Sequence, residues 1–308
     1  MNNDPLNHEQ VMKSLKILIF GAGVIGSVNA VHIANAGYDV TVFARSERLQ
    51  FLRENGLLYN DNGKTKSAKV KVIDCLGSNE IYDFVFVTVR YEQILTALAD
   101  VCGVKCDNIV TMVNNPFGYA DWEEVVGKGR LIPAFTGAGG RIEDGVLYYQ
   151  FAPKFVQATT CGELSGAKSE RIIELMKIFN KSKIPYSFSK DMDSWQKSHL
   201  ALVTPLANGF YFNGGDKFST AKSTAKNKQA MRLISSELRR NFRALKKLGI
   251  SITPGKMNVF RWLPLFVMEF VLKHLYNTQF AIDTMESHAN NAREEMQQLN
   301  EGFLSIIN

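Results

Sequence analysis

Residues 16–26, Lys16-Ile17-Leu18-Ile19-Phe20-Gly21-Ala22-Gly23-Val24-Ile25-Gly26, leave this chain very few folds. The β-branched and aromatic run before Gly21 is the pattern of a strand buried on both faces. Gly21 permits a tight turn, Gly23 lets a diphosphate approach a backbone without a Cβ, and Gly26 lets a helix pack close to the strand. The first-turn N–H groups of that helix are free and its dipole is positive there, so Gly21, Ala22, Gly23, Val24, Ile25 and Gly26 form a ready anion site. Alone, G-x-G-x-x-G is a weak signal. Here a strand precedes it, a helix follows (Ser27 to Ala36, closed by Gly37), and a second strand comes next, which is the context a dinucleotide site demands.

The end of that second strand, Asp39-Val40-Thr41-Val42-Phe43-Ala44, selects the dinucleotide. Sites for NAD usually carry Asp or Glu there, accepting from the ribose 2′-OH. This chain continues Arg45-Ser46-Glu47-Arg48. Arg45 can grip a 2′-phosphate with a planar fork of donors. A solvated loop arginine is the plainer reading, but the position follows directly from the motif, so NADP(H) is expected over NAD.

The net charge of +6 over 308 residues suits an anionic cofactor and an acid substrate. It does not argue for nucleic acid, because no basic stripe with interleaved aromatics appears. Cys75, Cys102, Cys106 and Cys161 are scattered, and Cys102-x-x-x-Cys106 lacks a partner pair, so no metal is expected. Reduced thiols and a cytoplasmic setting are expected. Met1 to Ser14 reads as a polar extension without the apolar stretch of a signal peptide. The longest apolar run, Trp262 to Leu272, is too short for a membrane span and carries Glu269. It reads as a buried helix or as the contact of a possible homodimer; no membrane association is expected.

Further along, Glu47 to Asn55 reads as a helix, with strands at Leu57–Asn60 and Ser67–Ile73 around an Asp61-Asn62-Gly63 turn. Tyr82–Val89 is a central parallel strand ending in Arg90, and Ile94–Cys102 is the following helix. Asn108–Val113 is a strand ending in Asn114-Asn115-Pro116-Phe117-Gly118. The adjacent amides could hold a cofactor or substrate, or could serve turn chemistry alone; the residues leave both readings open. Leu131 to Leu164 reads as short strands forming the antiparallel half of a mixed sheet. Ser169–Asn180 is an amphipathic helix and Ile184–Ser189 an edge strand. From Asp191 onward the pattern is helical: Ser194 as N-cap, Pro205 breaking or kinking its helix, then long helices at Ser219–Leu248 and Ala281–Asn300. The fold class expected is α/β: a Rossmann-type dinucleotide-binding domain with a mixed sheet over residues 1–190, followed by an all-helical C-terminal domain, 191–308.

With those residues in place the chain resembles the ketopantoate reductases (2-dehydropantoate 2-reductases), over about Lys16 to Phe303. The glycine loop is similar to the family's cofactor loop. Arg45 falls where the family holds the 2′-phosphate, and Arg90 where it usually has a lysine near the cofactor. Asn114-Asn115-Pro116-Phe117-Gly118 is similar to its Gln-Asn-Gly-x-Gly turn, which implies Asn115 as an amide near nicotinamide and substrate. Trp195-Gln196-Lys197 matches its Trp-x-Lys, which implies Lys197 as general acid, protonating the oxygen that gathers charge as hydride attacks a ketone. Glu295 falls at the family's glutamate, a hydroxyl partner for substrate, and Asp283 where a serine is expected. Ala201 and Pro205 replace two helix asparagines, with Asn208 a candidate replacement amide on the face of Lys197, Ala201 and Thr204.

The resemblance implies an NADPH-dependent reductase of a 2-oxo acid or related small-molecule carbonyl, and the departures at Ala201 and Pro205 point to a substrate other than ketopantoate. An opine- or imine-forming reductase and a non-catalytic NADP(H) sensor are the alternatives. His199 and His288, which suggest a catalytic histidine, read instead as ordinary helix residues, and His32 as packed or facing solvent.

Overall fold

The glycine motif sits at the centre of an eight-stranded sheet in the computed structural model, which describes residues 14–77, 80–154, 156–212 and 219–308. Strand β1 (Lys16–Phe20) leads into helix α1 (Val24–Asn35), then β2 (Asp39–Phe43) and α2 (Ser46–Asn55). There follow β3 (Leu57–Asp61), β4 (Lys64–Ala68), β5 (Lys71–Ile73), β6 (Phe84–Val87), α3 (Ile94–Cys102), β7 (Ile109–Thr111), α4 (Ala120–Val126) and β8 (Leu131–Phe135). Next come β9 (Ala138–Glu143), β10 (Val146–Phe151), β11 (Thr159–Cys161), α5 (Glu170–Lys181) and β12 (Tyr186–Phe188). Helices α6 (Met192–Tyr211), α7 (Ala221–Lys226), α8 (Lys228–Lys247), α9 (Leu265–Tyr276), α10 (Ser287–Asn291) and α11 (Arg293–Ile307) complete the chain.

The main sheet runs β5-β2-β1-β6-β7-β8-β11-β12. The pairs from β5 to β8 are parallel, β11 is antiparallel to β8, and β12 is parallel to β11. Ile17–Ile19 and Val85–Val87 are fully buried, as the unbroken apolar runs require of strands covered on both faces. The chain order reverses at β1, with β2 on one side and β6 on the other, so a crevice opens beyond their carboxyl ends.

Two expectations for the sheet need correction. Residues 131–164 are not one antiparallel half: β8 joins the parallel sheet, whereas β9 and β10 leave it for a second sheet of order β4-β3-β10-β9. Gly137 makes the exit possible, since a Cβ there would lie 2.7 Å from the backbone of Gln157–Thr159. The stretch read as one strand over 67–73 divides, β4 pairing with β3 and β5 with β2. The second sheet packs on α1, where His32 bonds Tyr149 Oη at 2.8 Å and the Ser182 carbonyl at 2.9 Å.

Beyond residue 191 the described residues form only helices and turns. Asp191, not Ser194, caps α6, its Oδ1 accepting from the Ser194 N–H at 2.8 Å. The expected long helices divide as well. Asn227 separates α7 from α8 and caps the latter, its Oδ1 accepting from Gln229 and Ala230 N–H. A π-helical stretch (Ala281–Glu286) and α10 precede a break at Ala292 before α11. Helix α9 buries Met268, Leu272 and Tyr276 but leaves Phe266 and Phe270 exposed, so it is buried on one face only. No helix among the described residues is long and apolar enough to cross a membrane.

Pro205 neither breaks nor ends α6, which runs on for six residues to Tyr211. Proline withholds the N–H that would bond the Ala201 carbonyl. The fully buried Asn241 of α8 supplies that donor, its Nδ2 reaching the Ala201 carbonyl at 3.3 Å. Its Oδ1 in turn accepts from Arg240 Nε and Nη2 at 3.1 and 3.0 Å. Leaving a buried carbonyl unpaired costs about 1–3 kcal/mol, so Asn241→Ala should lower stability by that amount. Pro205→Ala should recover part of the loss by restoring the helix's own donor. Urea unfolding of the two single variants and the double variant measures the coupling.

Candidate functional site: the cleft at the glycine loop

Each glycine of the loop answers to a different constraint. Gly21 has φ +113° and a Cβ there would lie 2.8 Å from the Thr88 carbonyl. At Gly26 a Cβ would fall 1.8 Å from the Gly21 carbonyl, so only glycine lets α1 approach β1. At Gly23 nothing lies within 4 Å, which leaves the backbone open to an incoming group. Gly23 is also the N-cap of α1, without a side-chain cap or an acid in the first turn, as an anion site requires. Thr88 Oγ1 braces the turn against the Phe20 and Gly21 carbonyls at 3.2 and 2.9 Å.

Arg45 stands where the sequence places it, just past β2, over the Phe43 ring at 5.1 Å. Its guanidinium is already paired, Nη2 lying 2.7 Å from Asp100 Oδ2 of α3. A residue missed in the sequence lies one turn later. Arg48 is partly buried and donates to the Ala22 carbonyl at 3.2 Å, the Gly145 carbonyl at 3.0 Å and Ser27 Oγ at 3.4 Å. It ties the glycine loop to the β9–β10 hairpin. Its three-residue spacing from Arg45 on α2 was the available signal.

The seam between the sheet's carboxyl edge and the last helices gathers Arg90, Glu295 and His288. Arg90 Nη2 donates to the Asn291 carbonyl at 3.0 Å and is otherwise exposed. Glu295 is buried and accepts from the Tyr91 N–H at 3.1 Å; burial raises its carboxyl above the usual range, and that bond partly opposes the rise. One oxygen of the expected hydroxyl partner is therefore occupied in joining α11 to the sheet. Water reaches His288, yet the protein around it still lowers the imidazole, with Arg90 adding a smaller effect.

The two readings of the asparagine turn divide between neighbours. Asn115 closes its own turn, Oδ1 accepting from the Phe117 N–H at 3.0 Å and Nδ2 donating to the Gly118 carbonyl. Asn114 is buried with Oδ1 unpartnered among the described residues, so it is the amide with an acceptor to spare. Gln196 Nε2 docks α6 on this turn through the Val113 carbonyl at 3.1 Å. Lys197, on the adjoining turn of α6, is paired with Asp193. Asp193 Oδ1 lies 3.4 Å from the Cβ position of Gly118, so Lys197 and Asn115 are neighbours through Gly118.

Ala201 and Thr204 are fully buried, and Thr204 Oγ1 donates back to the Leu200 carbonyl at 3.0 Å. Asn208 is no replacement amide: its Nδ2 donates to Glu237 of α8 at 3.1 Å. Asp283 accepts from Gln279 at 3.0 Å and lies 3.7 Å from Arg141 of β9. His199 is buried between Trp195 and Phe135, at ring separations of 5.1 and 4.4 Å. Burial pushes its imidazole down to about 3, with His288 lowering it further. Such a group stays neutral at ordinary pH and packs rather than titrates.

Among the described residues no group of His, Cys, Asp and Glu could hold a metal ion. A cavity of about 920 Å³ opens at the opposite, amino edge of the sheet, beside Arg130 and Arg171. Both arginines are spent on backbone carbonyls, and Arg171 also on Glu163.

The sequence profile described as Ketopantoate reductase PanE/ApbA matches residues 17–165, the half of the chain that carries the glycine loop and the asparagine turn. Over those residues the chain is similar to that family, from which it diverges farther along. A 2-dehydropantoate 2-reductase of Mesorhizobium japonicum is 26% identical over 210 residues, 59% of this chain and 63% of that protein. The chain thus spans less than two thirds of the length of the curated relatives it matches. Among solved structures, 2-dehydropantoate 2-reductase of Geobacter metallireducens superposes with TM-score 0.68 at 17% identity, covering 94% of this chain and 99% of that one. A D-mandelate dehydrogenase solved with NADH and anilino(oxo)acetate superposes with TM-score 0.67 at 14% identity, covering 95% and 98%. At such identities these likenesses speak for the fold: a Rossmann-type α/β half followed by helices, as the sequence implied.

Two predictions follow from this geometry. Gly23→Ala should leave the melting temperature near wild type yet weaken dinucleotide binding, whereas Gly26→Ala should destabilise the fold itself; calorimetric melts and dinucleotide titrations separate the two. For His199 the folded value lies below the unfolded one of about 6.5. Its stabilising contribution is therefore complete above about pH 6.5 and is lost as pH falls toward 3, with a slope of at most ~1.4 kcal/mol per pH unit. His199→Phe, which keeps the ring stack, should flatten that acid limb in urea unfolding measured between about pH 4.5 and 7.

Proposed function

We propose that this protein is an oxidoreductase that uses NADPH to reduce a 2-oxo acid or a related carbonyl compound. The observation that carries the reading is the docking of α6 on the asparagine turn through Gln196, which sets the Lys197–Asp193 pair beside Gly118 at the sheet edge where the glycine loop opens. Bound NADPH would supply a hydride to the carbonyl carbon. The residues present fit such a cofactor: an uncrowded Gly23 for the diphosphate, Arg45 for the 2′-phosphate and the spare acceptor of Asn114 near the nicotinamide end. Arg45 must exchange Asp100 for the phosphate. Because that pair is well exposed, the exchange costs little.

The Lys197 ammonium would stabilise the oxygen as charge gathers on it and then give it a proton. Arg90 offers unspent donors to an acid group at the cleft mouth. Ala201 and Pro205 provide no amides for a hydroxylated substrate, so ketopantoate should be a poor one. The D-mandelate dehydrogenase neighbour was solved with an aryl-bearing 2-oxo acid derivative, which favours phenylglyoxylate as the first probe.

NADPH oxidation followed by absorbance, with phenylglyoxylate, 4-methyl-2-oxopentanoate and ketopantoate, with and without added amines, tests the reading. Turnover of the less hydroxylated acids without amine is expected. Turnover only with amine would indicate an imine-forming enzyme, and binding without any turnover a sensor. Lys197→Ala should lower kcat by ~10²–10⁴ and leave NADPH affinity near wild type. Arg45→Ala should weaken NADPH by about tenfold and NADH hardly at all, for the loss of one exposed charge-assisted contact. Equal losses for both cofactors would remove Arg45 from the 2′-phosphate.

A further inference from the structure

We propose that Asp193 is the positioning residue of this site: it holds the Lys197 ammonium and returns a proton to it from solvent after each turnover. This rests on the reading of Lys197 as proton donor. Asp193 and Lys197 stand one helical turn apart at the start of α6, and the carboxylate Oδ2 accepts from Nζ. That is the one hydrogen bond Lys197 makes among the described residues. The Lys197 side chain is 13% exposed and that of Asp193 44%, so the lysine is enclosed while its partner reaches water.

A plainer account of Asp193 is an ordinary acid in a first helical turn, favoured by the dipole. Two observations go beyond it. The turn's cap is already provided by Asp191, so Asp193 is not needed there. Its second oxygen is buried without a partner among the described residues and faces Gly118, whose φ of +88° and missing Cβ leave the carboxylate room against the asparagine turn. An acid placed only for the dipole would turn both oxygens to water.

The proton account balances. The carbonyl carbon gains a hydride with its electron pair, the π pair moves to oxygen, and Nζ gives that oxygen a proton. Lys197 is left as a neutral amine. Asp193 then takes a proton from solvent and passes it to Nζ, restoring the ammonium–carboxylate pair. The net reaction consumes one carbonyl, one NADPH and one proton, and yields one hydroxyl compound and NADP⁺.

The test uses the full chain with Asp193→Ala, Asp193→Glu and Lys197→Ala. Phenylglyoxylate and ketopantoate are the probes for turnover, and formate the external proton carrier at constant ionic strength. A second readout needs no turnover: the rate at which acetic anhydride labels Lys197, followed by peptide mass mapping. Asp193→Ala should lower kcat by about 10²-fold with NADPH affinity unchanged. Formate should restore kcat in proportion to its concentration, Asp193→Glu should recover most of it, and Lys197 should label several-fold faster in Asp193→Ala. A loss that neither formate nor glutamate restores, or unchanged kcat and labelling, overturns the proposal. If Lys197→Ala is costly while Asp193→Ala is not, Asp193 falls and the lysine reading stands. If Lys197→Ala costs nothing, or the wild type turns over neither probe, the lysine reading fails and the proton-return role with it.

Discussion

The close approach of α1 to β1 at Gly26 is the constraint on which the rest of the structure depends. A single Cβ there would sit 1.8 Å from the Gly21 carbonyl, inside any tolerable contact. Because the two elements touch, the first turn of α1 points its free N–H groups across the carboxyl ends of β1 and β6. Thr88 at the end of β6 and Arg48 on α2 then grip the turn from two sides. Arg45, Arg90 and the asparagine turn all lie at the ends of strands packed against this centre. Their places follow from strand order rather than from any contact among themselves.

The helical half completes the site by docking α6 onto the asparagine turn. Gln196 reaches the end of β7, and the next residue brings Lys197 beside Asp193 and Gly118. Farther along α6 the chain departs from the pattern of the family it resembles. Where asparagines are expected it has Ala201 and Pro205, and both have been absorbed into the packing against α8. The Ala201 carbonyl, released by proline, is satisfied by Asn241, and Asn208 is held by Glu237. Polar groups along this stretch therefore stabilise helix packing rather than line the cleft.

How much was legible from sequence depended on whether a residue's role was local. The glycine loop is largely local: a Cβ at Gly26 meets the carbonyl of Gly21 five residues back, although Gly21 is held as well by the distant Thr88. The parallel strands were legible because burial on both faces leaves an unbroken apolar run. Strands β9 and β10 were not, because the Ala-Gly-Gly start of β9 carries no alternation to say which sheet it joins. Asn241 could not be foreseen, since its need arises from a proline 36 positions earlier on another helix. The spacing of Asp193 and Lys197, four residues apart on one helix, was legible in the sequence; the burial of the second Asp193 oxygen against Gly118 was not, because it arises from the docking of α6. Asn115, read as a ligand or a turn residue, is spent on its turn, and the spare acceptor belongs to Asn114.

The account's central claim is that one cleft, from Gly23 to the Lys197–Asp193 pair, binds NADPH along its length. A crystal structure of the full chain with NADP⁺ and oxamate tests it most directly. The account predicts the diphosphate on the first-turn N–H groups of α1, the 2′-phosphate on Arg45 with Asp100 released, and the oxamate oxygen within hydrogen-bond reach of Lys197. A dinucleotide bound at the amino edge of the sheet, or a nicotinamide directed away from Asn114 and Lys197, would contradict it.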